Sequence, residues 1–288
     1  TLVSEFMLQQ TQVKTVIPYF KKFVKNIPSL KALSKVHEKK VLKLWEGLGY
    51  YNRAKNLHKT SKILIEKYKG KIPESFIKLK ELPGIGDYTA NILLALVYNH
   101  PRVGLDGNVK RVLFRLFNTN KQNQSNLFQT KRNGDLAEAL MEFGSLICKP
   151  KDPKCYECKI KSICSYYASE SKIEFRKKTK IKLKSYDIFC YLKKNKKQIA
   201  LTKNNNLGFL KEYKLPIVKE KLGKKSFKNW NFLCNYKNSI SNKKLNIDLY
   251  YKFSNKIPKN LNWYSFKHSK EFIPTFTKKI FKQVENLY

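Results

Sequence analysis

A glycine hairpin and a carboxylate beyond it are the residues of this sequence whose chemistry is most specific. The hairpin LPGIG, at residues 82–86, opens a helical segment, and Asp106 lies 20 residues after its second glycine. Glycine turns at helix N-termini present unpaired N–H groups that suit a phosphate. The apolar run at 92–97 buries the helix between them, so Asp106 returns close to the hairpin. LPGIG alone can be only a tight turn, but with Asp106 it predicts an enzyme that grips a nucleic acid backbone and acts on the sugar–base bond.

Four crowded cysteines form a second group with ligand chemistry. They follow the pattern C-x6-C-x2-C-x5-C, at Cys148, Cys155, Cys158 and Cys164. In a chain without a secretion signal, such thiols favour a metal over disulfides. Zinc and an iron–sulfur cluster both accept four thiolates, and the compact spacing favours the cluster, in a structural role within a basic loop. The two remaining cysteines, Cys190 and Cys234, lie in apolar surroundings and are predicted to be buried thiols.

The elements that must position these residues change in type along the chain. Up to about Phe143, apolar residues recur at three- and four-residue steps, which predicts a bundle of short helices broken at Pro and Gly. A polar loop over 118–134 and a helix over 136–147 lead into the cysteines. Residues 169–184 are rich in charge and predict a linker. Beyond it, the sequence predicts strands at 186–192, 198–202 and 245–253 and a closing helix over 276–287.

The charge and the chain ends set wider limits on function. The formal net charge is +39, from 60 Lys and Arg against 21 Asp and Glu, and such a surface attracts polyanions. Only six of the 60 are arginine, which also indicates a biased coding sequence, so the charge permits nucleic acid binding without proving it. No segment approaches the roughly 20 apolar residues of a membrane span, and the given sequence shows no signal-peptide pattern. The chain begins at Thr1, and residues 1–12 already have the composition of a helix interior, so we interpret the sequence as N-terminally truncated.

Taken together, these motifs resemble the helix–hairpin–helix DNA glycosylases of the endonuclease III superfamily. Within it, SEFMLQQTQVKTVIPYF (4–20), GLGYYNRAKNLH (47–58) and LDGNVKRVL (105–113) are similar to the MutY-type adenine DNA glycosylases. The resemblance covers nearly all of residues 1–168. It implies a multi-domain protein: an all-α helix–hairpin–helix glycosylase domain (1–168) with a 4Fe-4S cluster loop (148–164), a linker (169–184) and an α+β Nudix-like domain (185–288) for lesion recognition.

The resemblance also implies catalytic roles. Removing adenine requires the leaving base to be protonated while positive charge builds on the sugar. Glu5 matches the family's general acid, and Asp106 matches the residue that stabilises or captures the oxocarbenium ion. Tyr88 stands where bifunctional relatives carry a lysine that forms a Schiff base, and a phenol cannot form that imine. Tyr88 and Asn108 are expected to support and position the two carboxyl groups.

Further residues match the family's contacts with DNA. The target base must be flipped out of the duplex, and something must fill the gap. Gln10, Thr11, Leu48 and Tyr50 match the wedge and the contacts to the partner strand. Two hairpin glycines, Gly84 and Gly86, are expected to grip the phosphate backbone with a monovalent cation.

The second domain matches less closely. The family's Phe-Ser-His recognition loop aligns with Ile240-Ser241-Asn242, which keeps Ser241 and replaces His with Asn242, a side chain that still donates and accepts hydrogen bonds. A tryptophan-rich segment of the family is reduced to Leu207-Gly208-Phe209. Because no Nudix phosphohydrolase box is present, pyrophosphatase activity is not expected.

The expected protein is a monofunctional adenine DNA glycosylase for adenine opposite 8-oxoguanine or guanine. We expect a monomer whose partner is double-stranded DNA and not a membrane, located in the cytoplasm of a bacterium or in the nucleus or an organelle of a eukaryote. Two alternatives remain open: an endonuclease III-like glycosylase and lyase for oxidised pyrimidines, against which Tyr88 argues, and a non-catalytic lesion-binding protein, against which Glu5 and Asp106 argue.

Overall fold

Two compact units make up the chain. The computed structural model describes residues 1–118, 129–169, 182–204, 207, 210–221, 227–240, 243–266 and 271–288. One unit, called here the helical unit, comprises Thr1–Leu44 and Tyr50–Lys177. The other, the strand unit, comprises Trp45–Gly49 and Lys178–Tyr288. In the described part of the chain, no helix has the length and apolar character that crossing a membrane requires.

Short helices separated by tight turns form the helical unit, as the sequence predicts. They are α1 (Leu2–Leu8), α2 (Val13–Asn26), α3 (Leu30–Lys35), α4 (Glu38–Leu44), α5 (Asn52–Tyr68), α6 (Phe76–Lys80), α7 (Asp87–Tyr98), α8 (Gly107–Phe117), α9 (Asn133–Leu146) and α10 (Ser165–Ala168). Two 3-10 turns, Cys155–Glu157 and Lys161–Ile163, lie between α9 and α10. The predicted loop at 118–134 lies mostly outside the described residues.

Helix boundaries follow from capping side chains and from the periodicity of buried residues. In α5 the buried positions include Arg53, Leu57, Ser61 and Leu64, which fall on one helical face. The Asp106 carboxylate caps α8 by accepting a hydrogen bond from the Val109 N–H, so the cap fixes the carboxylate as well as the helix.

The packing of α7, α8 and α9 brings the hairpin and Asp106 into one unit. Ile92 and Ala95 of α7 form a buried cluster with Ala137 of α9. Gly144 of α9 lies so close to Asn108 that an added Cβ would approach the Asn108 Cβ to 2.8 Å. Helix α8 is therefore held against α9 at its first turn, next to Asp106.

A mixed sheet with a terminal helix forms the strand unit. Its strands are β1 (Lys182–Lys193), β2 (Gln198–Lys203), β3 (Lys214–Leu215), β4 (Ile217–Glu220), β5 (Asn231–Ile240), β6 (Lys243–Phe253) and β7 (Asn262–Ser265). The strand order is β3-β2-β1-β6-β5, with β4 paired to β1 and β7 paired to β2. The β1–β6 pair is parallel, with Lys182 opposite Lys243, and the other pairs are antiparallel.

Helix α11 (Thr275–Glu285) completes the strand unit. Its buried face includes Phe276, Ile280 and Val284, and its Lys279 Nζ donates to Asn238 Oδ1 of β5 at 3.0 Å. The three predicted strands and the closing helix are present. Strand β1 begins at Lys182, inside the predicted linker, because its parallel pairing with β6 extends that far. Apart from Ser169 and 182–184, the linker lies outside the described residues.

Candidate active site

Glu5 is a buried carboxyl group on α1. Its side chain is 6% exposed, and its Oε2 has no hydrogen-bond partner within the described residues. Burial raises the pKa of Glu5 from 4.5 to about 7, because desolvation penalises the charged form. Glu138 adds to this rise, and a hydrogen bond with Tyr88 opposes it. A carboxyl group with this pKa is about half protonated at neutral pH and can act as a general acid.

Asp106 is held in one orientation by two hydrogen bonds. Its Oδ1 accepts from the Val109 N–H at 2.7 Å, and its Oδ2 accepts from Asn108 Nδ2 at 3.1 Å. Both hydrogen bonds hold the carboxylate at the first turn of α8. The residue is half-buried, so its charge faces a partly solvated space at the start of α8.

Tyr88, on the first turn of α7, lies between the two carboxyl groups. Burial raises the pKa of Tyr88 above its ordinary value, and the charges of Glu5 and then Asp106 raise it further. Its hydroxyl lies 3.2 Å from the Met141 Sδ. An added Cβ at Gly104 would approach the Tyr88 ring to 2.8 Å, so the glycine leaves room for the ring. Tyr88 therefore stays a neutral phenol in contact with Glu5.

A buried arginine connects this centre to the cysteine loop. Arg111 Nη2 donates to Asn108 Oδ1 at 3.1 Å and to the Gly144 carbonyl at 2.5 Å. Its Nε donates to the Cys148 carbonyl at 2.9 Å. A continuous chain of hydrogen bonds thus runs from the first cysteine through Arg111 and Asn108 to Asp106.

The hairpin is held against α1 and α5. Gly84 has a φ of +80°, and an added Cβ would approach Asn56 and Phe6 to 2.8 Å each, so this position requires glycine. Gln9 Nε2 donates to the Gly84 carbonyl and to Thr89 Oγ1, both at 3.2 Å. Gly86 immediately precedes α7 and faces open space. The open N-terminus of α7 is the geometry that a phosphate requires.

The residues predicted to contact the partner strand separate into three groups. Gln10, Thr11 and Tyr50 lie together in the helical unit, and Tyr50 is 44% exposed. Leu48 is only 7% exposed, so its side chain is a core residue in this structure. Ser241, with Asn242, lies outside the described residues, as do Gly208 and Phe209.

The sequence predicts a helix through residue 12, but α1 ends at Leu8. The residues after it form a turn in which Gln10 has a φ of +56°. The buried Arg53 causes this ending, because its Nη1 donates to the carbonyls of Phe6, at 3.1 Å, and Met7, at 2.7 Å, and also to that of Gln9. The prediction for residues 9–12 was wrong because the competing hydrogen bonds come from a distant part of the chain.

The four clustered cysteines line one cavity. Its wall also includes Arg115, whose Nη1 lies 3.5 Å from Cys148 Sγ and whose carbonyl lies 3.5 Å from Cys164 Sγ. None of these four cysteines forms a disulfide. In the parts of the chain that the structure describes, no group of three or more His, Cys, Asp or Glu side chains is arranged to hold a single metal ion.

Three buried arginines near the proposed site were not identified from the sequence: Arg53, Arg111 and Arg115. All three are buried, and each makes several hydrogen bonds to backbone carbonyls. A signal was present, because only six arginines remain in a chain whose other 54 basic residues are lysine. At these three positions, the planar five-donor geometry of guanidinium matches the several backbone carbonyls that each side chain contacts.

Known DNA repair proteins are similar to this chain. Residues 3–134 match the HhH-GPD superfamily of base excision DNA repair proteins. An adenine DNA glycosylase of Buchnera aphidicola subsp. Baizongia pistaciae is 39% identical over 224 residues, which cover 74% of this chain and 64% of that protein. The adenine DNA glycosylase of Homo sapiens is 35% identical over 175 residues, covering 56% and 32%. The chain thus spans less than two thirds of the length of these relatives.

A solved structure supports the fold. The structure of a thermostable thymine-DNA glycosylase superposes with a TM-score of 0.53 and is 27% identical. The superposition covers 58% of this chain and 82% of that one. The helical glycosylase fold predicted from the motifs is confirmed.

Proposed function

Because residues 3–134 belong to the HhH-GPD superfamily of base excision DNA repair proteins, we propose that the chain is a monofunctional adenine DNA glycosylase. It hydrolyses the N-glycosidic bond of adenine opposite 8-oxoguanine or guanine in double-stranded DNA. The observation that carries this proposal is the pairing of a buried Glu5, whose pKa is about 7, with an Asp106 fixed by two hydrogen bonds. The similarity to proteins named adenine DNA glycosylase supports adenine as the base.

The two carboxyl groups have different roles in the reaction. Protonated Glu5 donates its proton to the imidazole ring of adenine, and the C1′–N9 electron pair leaves with the base. The charge of Asp106 then stabilises the oxocarbenium ion at C1′, or captures it covalently. Water adds to C1′ and gives up its proton to a carboxylate, leaving an abasic site and free adenine. Because Asn108 and the Val109 N–H hold Asp106 in place, little reorganisation is needed as the positive charge develops.

Tyr88 argues against the amine-based route. A lysine there could attack C1′ and form an imine, but a buried phenol has no nitrogen to do so. Tyr88 instead contacts Glu5 and keeps the acid in place. The strand is therefore expected to remain uncut until alkali or a second enzyme acts on the abasic site.

The cysteine loop fits a 4Fe-4S cluster. Cys148, Cys155, Cys158 and Cys164 would hold it, because all four line one cavity and none of them is in a disulfide, and their compact spacing favours a cluster over zinc. When bound, the cluster would supply four iron–thiolate bonds that cross-link the loop. The bond from Arg111 to the Cys148 carbonyl then fixes α8 relative to that loop.

DNA binding and lesion recognition are assigned as follows. Gly84 and Gly86 hold the backbone of the target strand, with a monovalent cation, and the net charge of +39 strengthens the attraction. Gln10, Thr11 and Tyr50 face the partner strand. We assign the strand unit to a Nudix-like role in reading 8-oxoguanine, supported by its mixed sheet and terminal helix.

Strand-cleavage analysis distinguishes this proposal from the lyase alternative. The full chain is incubated with a labelled duplex that contains adenine opposite 8-oxoguanine, then analysed directly, after alkali, or after borohydride. We expect a break only after alkali and no covalent adduct after borohydride. A borohydride-stable adduct would establish the lyase, and tight binding without any alkali-labile site would establish a non-catalytic lesion-binding protein.

A further inference from the structure

We call Gln10, Thr11 and Tyr50 the partner-strand surface. Two of these three residues have an unusual backbone conformation. Gln10 and Tyr50 have φ values of +56° and +48°, in the left-handed region that side chains other than Gly and Asn rarely adopt. Each belongs to a different segment, one after α1 and one before α5. A left-handed residue persists only where the surrounding structure fixes it. Something must therefore hold both segments.

Arg53 contacts both segments from the protein interior. Its Nη1 donates to the Phe6, Met7 and Gln9 carbonyls, and its Nη2 donates to Thr11 Oγ1 at 3.0 Å. The guanidinium carbon lies 5.3 Å from the centre of the Tyr50 ring. The backbone N–H of Arg53 also donates to the Tyr50 carbonyl at 2.9 Å.

These contacts provide hydrogen-bond donors for the carbonyls at the end of α1, and they fix the turn that follows the helix. The last carbonyls of a helix have no partner within the helix, and a guanidinium that reaches them ends the helix at a defined residue. The Arg53 side chain is only 8% exposed, so it reaches solvent little and acts through its neighbours. Burial lowers its pKa to about 10, so it remains charged at neutral pH.

We propose that Arg53 is a positioning residue, which presets Gln10, Thr11 and Tyr50 in the shape that enters the duplex. The inference rests on the proposed function, in which this surface fills the gap that the flipped adenine leaves in the duplex. Lysine cannot replace arginine here, because one ammonium has three donors at a single point. It cannot span the α1 carbonyls and the Thr11 hydroxyl while packing on the Tyr50 ring.

The test compares Arg53→Lys with a matched control. Arg102→Lys is the control, because the Arg102 guanidinium also lies over an aromatic ring, 5.4 Å from the centre of Phe76, and makes one hydrogen bond, to Asn91, away from the surface in question. Two readouts are taken with saturating enzyme. One is the fluorescence of 2-aminopurine at the target position, which reports base opening, and the other is the single-turnover rate of adenine excision.

We expect Arg53→Lys to lower both base opening and the excision rate by about tenfold or more, because small misplacements of positioning groups have large effects on rate. The pH dependence of excision should remain that of the wild type, because Glu5 is untouched. Arg102→Lys should remain within about twofold of the wild type in both readouts, because the Arg102 side chain contacts Asn91 and Phe76 and not the partner-strand surface. If Arg53→Lys does not fold, Thr11→Val is the deciding variant, and base opening must fall with it.

Three results would overturn the inference. Folded Arg53→Lys with wild-type base opening is one, and a changed pH profile of excision in that variant is another, because it would place the effect at the acid. The third is wild-type base opening in Thr11→Val when Arg53→Lys cannot be made. A wild-type protein that opens the base pair but excises no adenine would refute the proposed function alone, and the fluorescence comparison would still decide the role of Arg53.

Discussion

Replacing Glu5 with glutamine should inactivate the enzyme and stabilise its fold at the same time. The side chain is buried, and burial raises its pKa from 4.5 to about 7. Because the folded state holds the proton more tightly than the unfolded state, the stability of the wild type falls as pH rises from 4.5 and levels off above 7. Glutamine has nearly the same shape and never ionises, so it avoids this loss.

The size of the stability change follows from the pKa shift of Glu5. A rise of this size corresponds to about 3 kcal/mol, because one pKa unit is worth about 1.4 kcal/mol. Glu5→Gln should therefore match the wild type below pH 4.5 and exceed its free energy of unfolding by about 3 kcal/mol above pH 7. An unperturbed Glu would be protonated in only about one molecule in 300 at pH 7, whereas Glu5 is protonated in about half.

Two measurements check this reasoning. Urea unfolding at pH 5 and pH 8 measures the difference in free energy of unfolding between the wild type and Glu5→Gln. The single-turnover rate of excision, measured against pH, reports the titration of the acid. The wild-type rate should fall about tenfold per pH unit well above pH 7. Glu142→Gln is the control, because this side chain on α9 is exposed and is not among the charges that shift the Glu5 pKa, so the free energy of unfolding should change by less than about 0.5 kcal/mol. Stability profiles of the wild type and Glu5→Gln that run parallel over this pH range would refute the argument.

Three further changes test other parts of the site. Asp106→Asn keeps the cap of α8 but removes the charge, so single-turnover excision should slow by about 10²–10³-fold while DNA binding is retained; a rate near that of the wild type would contradict the role of the carboxylate. Gly104→Ala places a Cβ within 2.8 Å of the Tyr88 ring, and chemical unfolding should show a loss of about 1–3 kcal/mol from overpacking; unchanged stability would mean that the ring moves freely. Cys158→Ser removes one of the four thiols around the cavity and should abolish bound iron and visible absorbance in the purified protein, whereas full iron content would exclude this cysteine as a ligand.

Local patterns predicted much of the fold and of the site. The helical region, the hairpin before α7 and the cap at Asp106 depend on neighbouring residues, and the structure contains all three. The strands β1, β2 and β6 were also predicted from their composition. The helical glycosylase fold is confirmed, whereas the Nudix-like identity of the strand unit and the roles of the individual site residues stay predictions.

The remaining features depend on pairings between distant parts of the chain. The parallel β1–β6 ladder cannot be deduced from either strand alone, and it determines where β1 begins. The end of α1 at Leu8 depends on Arg53, which lies more than 40 residues later. The link from the cysteine loop to Asp106 likewise passes through Arg111. In each case, the sequence between the partners carries no periodic signal of the contact.

Analysis of the released base tests the central claim most directly. Duplexes with one labelled adenine opposite 8-oxoguanine, guanine or thymine are incubated with the full chain, and the free base is identified by mass. The account predicts free adenine from the first two duplexes, none from the third, and none from any duplex with Glu5→Gln. Failure to release adenine from the 8-oxoguanine duplex, or release by Glu5→Gln at the wild-type rate, would contradict it.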